Sequence, residues 1–79
     1  MMTDYRYKFD NEAAAIAALP EYRVDDAWRL AGDGFGLDPI GALCNEAGWH
    51  LNLRVWDGRE NPCPSATVTP DDPQVVWMD

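Results

Sequence analysis

At 79 residues the chain has room for one domain, residues 1–79, with a core one layer thick between two layers of secondary structure. Nearly half of it is hydrophobic, with four tryptophans, three tyrosines and two phenylalanines, which excludes a disordered chain. A formal net charge of −8 argues against direct nucleic-acid binding and against anionic membranes, because both recruit basic groups, and leaves a basic protein open as a partner.

The first element is "YRYKF", in which Tyr5, Tyr7 and Phe9 alternate with Arg6 and Lys8. A period of two with aromatic enrichment predicts a half-buried strand. Asp10 then occupies a helix N-cap position, with Glu12 in the first turn, and "NEAAAIAAL" runs as a helix up to Pro20. So short a helix is not stable alone, so Ala13, Ile16, Ala17 and Leu19 are expected to pack it on a sheet. In "YRVDDAWRLAG", Val24, Trp28 and Leu30 share one parity and predict a strand over 26–31.

"GDGFG" reads as a loop. In "LDPIGALC", Ile40, Ala42 and Cys44 alternate with Gly41 and Leu43, and "NEAG" turns the chain into "GWHLNLRVWDG". Segments 39–44 and 49–56 therefore predict a hairpin. Trp49, Leu51, Leu53 and Val55 share one face of its second strand, and His50, Asn52, Arg54 and Trp56 share the other. Beyond the Asp57-Gly58 turn, "NPCPS" is irregular, "ATVT" is a short strand, "PDDP" a loop and "QVVWM" a last edge strand.

His50 is the only histidine, and a catalytic role requires a base or an orienting carboxylate beside it. Its same-face neighbours Asn52 and Arg54 supply neither. Cys44 lies across the hairpin and could form a Cys/His pair only in a suitable register. Cys44, Cys63 and His50 fall short of a structural zinc set without an added carboxylate, and "DGFGLD" lacks the ligand pattern of a calcium loop. "GDGFG" lacks the lysine and hydroxyl of a phosphate loop. No cofactor or metal is expected.

"MMTDYRYKFD" contains no apolar export segment, and "AAAIAAL" is too short to span a bilayer, so two reduced thiols in a cytosolic protein are expected. Trp56, off the apolar stripe, and Trp77 are candidates for contact with another protein. After Arg59 there are only acidic charges, Glu60, Asp71, Asp72 and Asp79, which makes the C-terminal quarter the most negative.

Four blocks in order, "YKFDNEAAAIAAL", "LDPIG", "GWHLNL" and "VTPDDPQVVW", cover about half the chain. This order resembles a set of small uncharacterised tail-region proteins of tailed bacteriophages and prophages. The chain departs from them in the short spacing between Gly41 and Gly48, where relatives often carry an insertion. The resemblance implies a setting in phage morphogenesis or phage–host interaction, with no catalytic residue and no cofactor.

The expectation is an α+β fold: a small, mostly antiparallel sheet with one short N-terminal helix packed on one face. Its core comprises Tyr7, Phe9, Ile16, Leu19, Trp28, Ile40, Trp49, Leu51, Leu53 and Val55. The expected function is non-enzymatic: binding of another phage protein in tail or tail-fibre assembly, in the cytoplasm of the bacterial host with virion association open. The alternative is an acidic inhibitor or DNA mimic that binds a basic host protein. Candidate contact residues are Trp56, Trp77, His50, Asn52, Arg54, Asp71 and Asp72, on a monomer or weak homodimer.

Overall fold

A computed structural model of the chain describes residues 2–42 and 47–68. Cys44, Asp71, Asp72, Trp77, the "PDDP" loop and the "QVVWM" strand lie outside the described residues. The fold is α+β, as expected. Strands β1 (Thr3–Phe9), β4 (Ala31–Gly32), β5 (Phe35–Ala42) and β6 (Trp49–Val55) form an antiparallel sheet in the order β1-β6-β5-β4. Helix α1 (Glu12–Ala18) follows β1, and a separate hairpin joins β2 (Arg23–Val24) to β3 (Ala27–Trp28).

Strand β6 is central. It pairs with β1 along its whole length, from Thr3 opposite Val55 to Phe9 opposite Trp49, and with β5 on its other side. Opposed residues share a face, so Tyr7, Phe9, Phe35, Leu37, Leu51, Leu53 and Val55 form one apolar surface. These residues close into a core with Ala15, Leu19 and Tyr22. The helix and the 3-10 turn Pro20–Tyr22 therefore cover that side of the sheet.

The helix start and its buried face both differ from expectation. The cap is Asn11 rather than Asp10: its side chain accepts from the Ala14 amide at 2.9 Å, and its backbone is extended. The helix packs through Ala15 and Leu19, with Ala14 and Ala18 beside them, while Ala13 and Ala17 are exposed and Ile16 is half-buried. A run of alanines has no apolar period, so the cap and the end at Pro20 set the phase.

The strand predicted over 26–31 is instead two short strands on either side of a break. Asp25 and Asp26 both adopt positive φ, +53° and +63°, as the central pair of a two-residue hairpin loop between β2 and β3. Trp28 anchors this hairpin. It stacks on Trp49 at 5.9 Å, carries the Arg23 guanidinium over its ring at 5.0 Å, and donates through Nε1 to Glu12 at 3.0 Å. Trp28 and Trp49 are consequently half-buried rather than deep in the core.

"GDGFG" is also more regular than a loop. Asp33 and Gly34 make a tight turn, and Phe35 and Gly36 already belong to β5. Gly34 has φ +81°, and a Cβ there would run into the Asp57 carboxylate. Pro39 lies inside β5 because the strand bulges there: Pro39 and Ile40 together oppose Leu51, and Gly41 (φ +92°) restores the register against His50. The bulge leaves Ile40 half-buried.

After β6 the chain returns along β1. Arg59 reaches back to Asp57 at 2.6 Å, the Tyr22 hydroxyl at 3.2 Å and the Asp33 carbonyl at 2.8 Å, and covers the Phe35 ring at 5.3 Å. Asn61 accepts from the Tyr7 hydroxyl at 2.6 Å, and burial pushes that hydroxyl well above the usual phenol range. "ATVT" makes a 3-10 turn (Pro64–Ala66) and a single bridge, Thr67 to Tyr7, rather than a strand. Cys63 is a free, half-buried thiol.

Two substitutions test this architecture by urea unfolding. Leu51→Ala removes a side chain with no exposed surface, and is expected to cost about 2–5 kcal/mol. Asp26→Gly relieves a positive φ, and is expected to raise stability by roughly 0.5–1 kcal/mol.

Candidate functional site

The apolar parity of β6 is accounted for by the core, which leaves the opposite parity as the place where polar chemistry gathers. His50, Asn52 and Arg54 project there, opposed on β1 by Lys8, Arg6 and Asp4 and on β5 by Gly41, Asp38 and Gly36. Three of the six Lys and Arg residues and the only histidine thus share one sheet face of a chain with charge −8.

Its β6 residues are closed to solvent, while Lys8 beside them on β1 is exposed. His50 and Asn52 are each 1% exposed and Arg54 is 8% exposed. This corrects the expectation that these three residues form an accessible contact surface. Sequence alternation separates the two faces of a strand, but burial of the second face depends on tertiary packing that no local pattern records.

Arg54 and Asp4 form a bidentate ion pair on this face. The guanidinium donates through Nε to one carboxylate oxygen at 2.7 Å and through a terminal nitrogen to the other at 3.0 Å. Two parallel charge-assisted bonds from a planar fork fix both side chains. Arg54 holds the Asp4 carboxyl below the usual carboxylate range. Arg6 approaches the same carboxylate only at 3.8 Å, and its Nε is buried without a hydrogen bond.

His50 is held at one nitrogen only. Nε2 lies 3.1 Å from the Ala47 carbonyl, which can only accept, so Nε2 carries the proton. Nδ1 is buried and makes no hydrogen bond. A ring that is almost fully enclosed and tied to a backbone carbonyl is poorly placed to exchange protons with an outside substrate. Among the described residues, no group of three His, Cys, Asp or Glu side chains is placed to hold a metal.

A second feature is the open end of the β1–β6 ladder. Trp56 follows Val55, the last paired residue of β6, and is 49% exposed. Its backbone amide donates to the Gly34 carbonyl at 2.8 Å, which fixes its position. Met2, 51% exposed, occupies the matching place beyond Thr3. Of the other sequence candidates, Trp77, Asp71 and Asp72 lie outside the described residues.

Asp4 and Met2 are the residues the sequence reading missed. Asp4 continues the charged parity of Arg6 and Lys8 toward the N-terminus, which was the available signal; Met2 falls on that parity but is apolar, so alternation gave none for it. Among the described residues no helix is long and apolar enough to cross a membrane. Compared with family models, curated proteins and solved structures, the chain matches none.

The Asp4–Arg54 pair gives a pH signature. A carboxyl whose folded pKa lies below its unfolded value stabilises fully above the ordinary aspartate range, about 3.9, and loses that contribution as pH falls through the folded value. Asp4→Asn is expected to cost about 1–3 kcal/mol at neutral pH. It is also expected to flatten the fall in stability on acidification, read from urea midpoints across that range.

Proposed function

We propose that the chain is a non-enzymatic bacteriophage accessory protein that binds another phage protein in tail or tail-fibre assembly. The setting comes from the ordered sequence blocks, and Trp56 is the observation that carries the binding role. A large aromatic side chain stands half-exposed on a fixed backbone, with a half-exposed methionine at the neighbouring strand end. Rigid aromatic anchors lose little conformational freedom on binding and are enriched where interfaces concentrate their energy. The enclosed His50 ring, tied through Nε2, supports a binding rather than a catalytic role.

A second reading, an acidic inhibitor of a basic host protein, is favoured by the charge distribution. Of the ten described Asp and Glu residues, eight are exposed. Arg54 and Arg59 meanwhile turn to Asp4 and Asp57. The outward charge is therefore strongly negative, and a basic surface is its complement.

The full-length protein, tagged and recovered from phage-producing cells, is expected to retain a tail or tail-fibre protein identified by mass spectrometry. Trp56→Ala is expected to weaken that complex by roughly 30-fold, the scale of an aromatic anchor. Retention instead of a basic host nucleic-acid enzyme, with affinity falling steeply as salt rises, would replace the first reading with the second.

A further inference from the structure

The chain contains two Asp-Gly steps, Asp33-Gly34 and Asp57-Gly58, and the fold brings both to one side chain, Arg59. Such a step is open to attack of the following backbone nitrogen on the aspartyl carboxyl, because glycine puts no side chain in the way. Asp33 and Asp57 are both exposed, so access to water does not separate them. Arg59 does.

At Asp57 the guanidinium engages the carboxyl group itself. Nε donates to Oδ1 at 2.9 Å and a terminal nitrogen to Oδ2 at 2.6 Å, and the Arg59 amide adds a bond to Oδ1 at 3.2 Å. Charge-assisted bonds to both oxygens fix the carboxylate and keep it anionic, its pKa lowered to about 2 chiefly by the Arg59 side chain. Ring closure expels water from a neutral carboxyl, so it is suppressed there.

At Asp33 the same guanidinium acts on the attacking group. It donates to the Asp33 carbonyl at 2.8 Å, which draws electron density from the Asp33–Gly34 peptide and eases loss of the proton from its nitrogen. Among the described residues that nitrogen donates no backbone hydrogen bond. A Cβ at residue 34 would run into the Asp57 carboxylate, so the fold itself keeps the unhindered glycine in place.

We infer that Asp33-Gly34 is a site of spontaneous isomerisation, directed there by Arg59, and that the modification releases Trp56. The Gly34 nitrogen bonds to Asp33 Cγ as the Cγ–OH bond breaks, and water leaves with the amide proton. Water then opens the cyclic imide at the former main-chain carbonyl. The chain now runs through Cβ and Cγ as isoaspartate, with its composition unchanged. One extra backbone carbon enters a two-residue turn whose ends are fixed by the Gly32–Phe35 pair. The Gly34 carbonyl that accepts from the Trp56 amide at 2.8 Å is displaced, and the half-exposed indole loses its fixed place. The consequence for binding rests on the contact role proposed for Trp56; the isomerisation does not.

The test warms the full-length protein at neutral pH, native and in urea, and maps isoaspartate at each step by electron-transfer mass spectrometry. In the native protein isoaspartate is expected to form roughly tenfold faster at Asp33 than at Asp57, the factor carried by each pKa unit removed from the Asp57 carboxyl. In urea the two rates are expected to converge. Arg59→Ala is expected to bring the native rates together, and the comparison on the unsubstituted chain stands even where that variant fails to fold. Amide NMR of the aged protein is expected to show a second Trp56 signal growing with the Asp33 product. Asp33→Glu, whose longer side chain disfavours the ring, is expected to lack both. Asp57 isomerising as fast as Asp33 in the native protein would overturn the inference, as would no native reaction where both steps react in urea. An unchanged ratio in folded Arg59→Ala, or an unmoved Trp56 signal, would overturn it equally. No readout involves a partner, so failure of the binding role leaves each of them unaltered.

Discussion

The structure turns on a central strand that is buried on both sides although only one side is apolar. Leu51, Leu53 and Val55 have no exposed surface, and His50 and Asn52 have almost none. The apolar side gains free energy simply by leaving water. The polar side does not: every donor and acceptor removed from water must find a partner or cost free energy. The bidentate Asp4–Arg54 pair meets that demand at one end of the strand, and the His50–Ala47 bond meets half of it at the other. Arg6 Nε and His50 Nδ1 are buried on this face without a hydrogen bond.

The surrounding elements are held by side chains that bridge what the short strands cannot. Trp28 connects the β2–β3 hairpin to both the start of α1 and β6, so two residue pairs of ladder suffice for that hairpin. Arg59 ties the turn after β6 to Tyr22 and to the Asp33 turn, and covers Phe35. Asn61 ties the returning chain to Tyr7 and Thr67. In a domain of this size, where the buried fraction of surface is limited, such long-range polar links are a substantial part of what defines a single arrangement.

The sequence was most legible where period and position agree. "YRYKF" and "WHLNLRV" alternate cleanly, and both are strands with the expected apolar faces. It was least legible where a residue type permits several roles. Alanines gave no helical phase, and Asp25-Asp26 gave no sign of adopting the left-handed backbone that glycine or asparagine would have announced. The expected strand begins at Pro39, whereas β5 begins at Phe35 and Pro39 falls at its bulge. Phe35, Leu37 and Tyr22 were missed as core residues for a related reason: the glycine-rich run before Leu37 and the proline before Tyr22 concealed a tight turn and a 3-10 turn. For the candidate site, alternation separated Trp56 and His50 from the apolar stripe, but only tertiary packing distinguishes an exposed tryptophan from an enclosed histidine.

That distinction bears on function, because it divides the polar parity of β6 into two parts with different roles. The enclosed part, around His50 and Arg54, works inward. The carboxylates a basic partner would meet include Asp10, Glu21, Asp25, Asp26 and Asp33, all exposed. They are spread over several elements, whereas Trp56 presents one large apolar surface at a single fixed point. Dispersed charge steers encounter and is screened by salt, while a fixed aromatic anchor slows dissociation. A lasting partner is therefore better matched to the Trp56 end of the sheet than to the acidic surface.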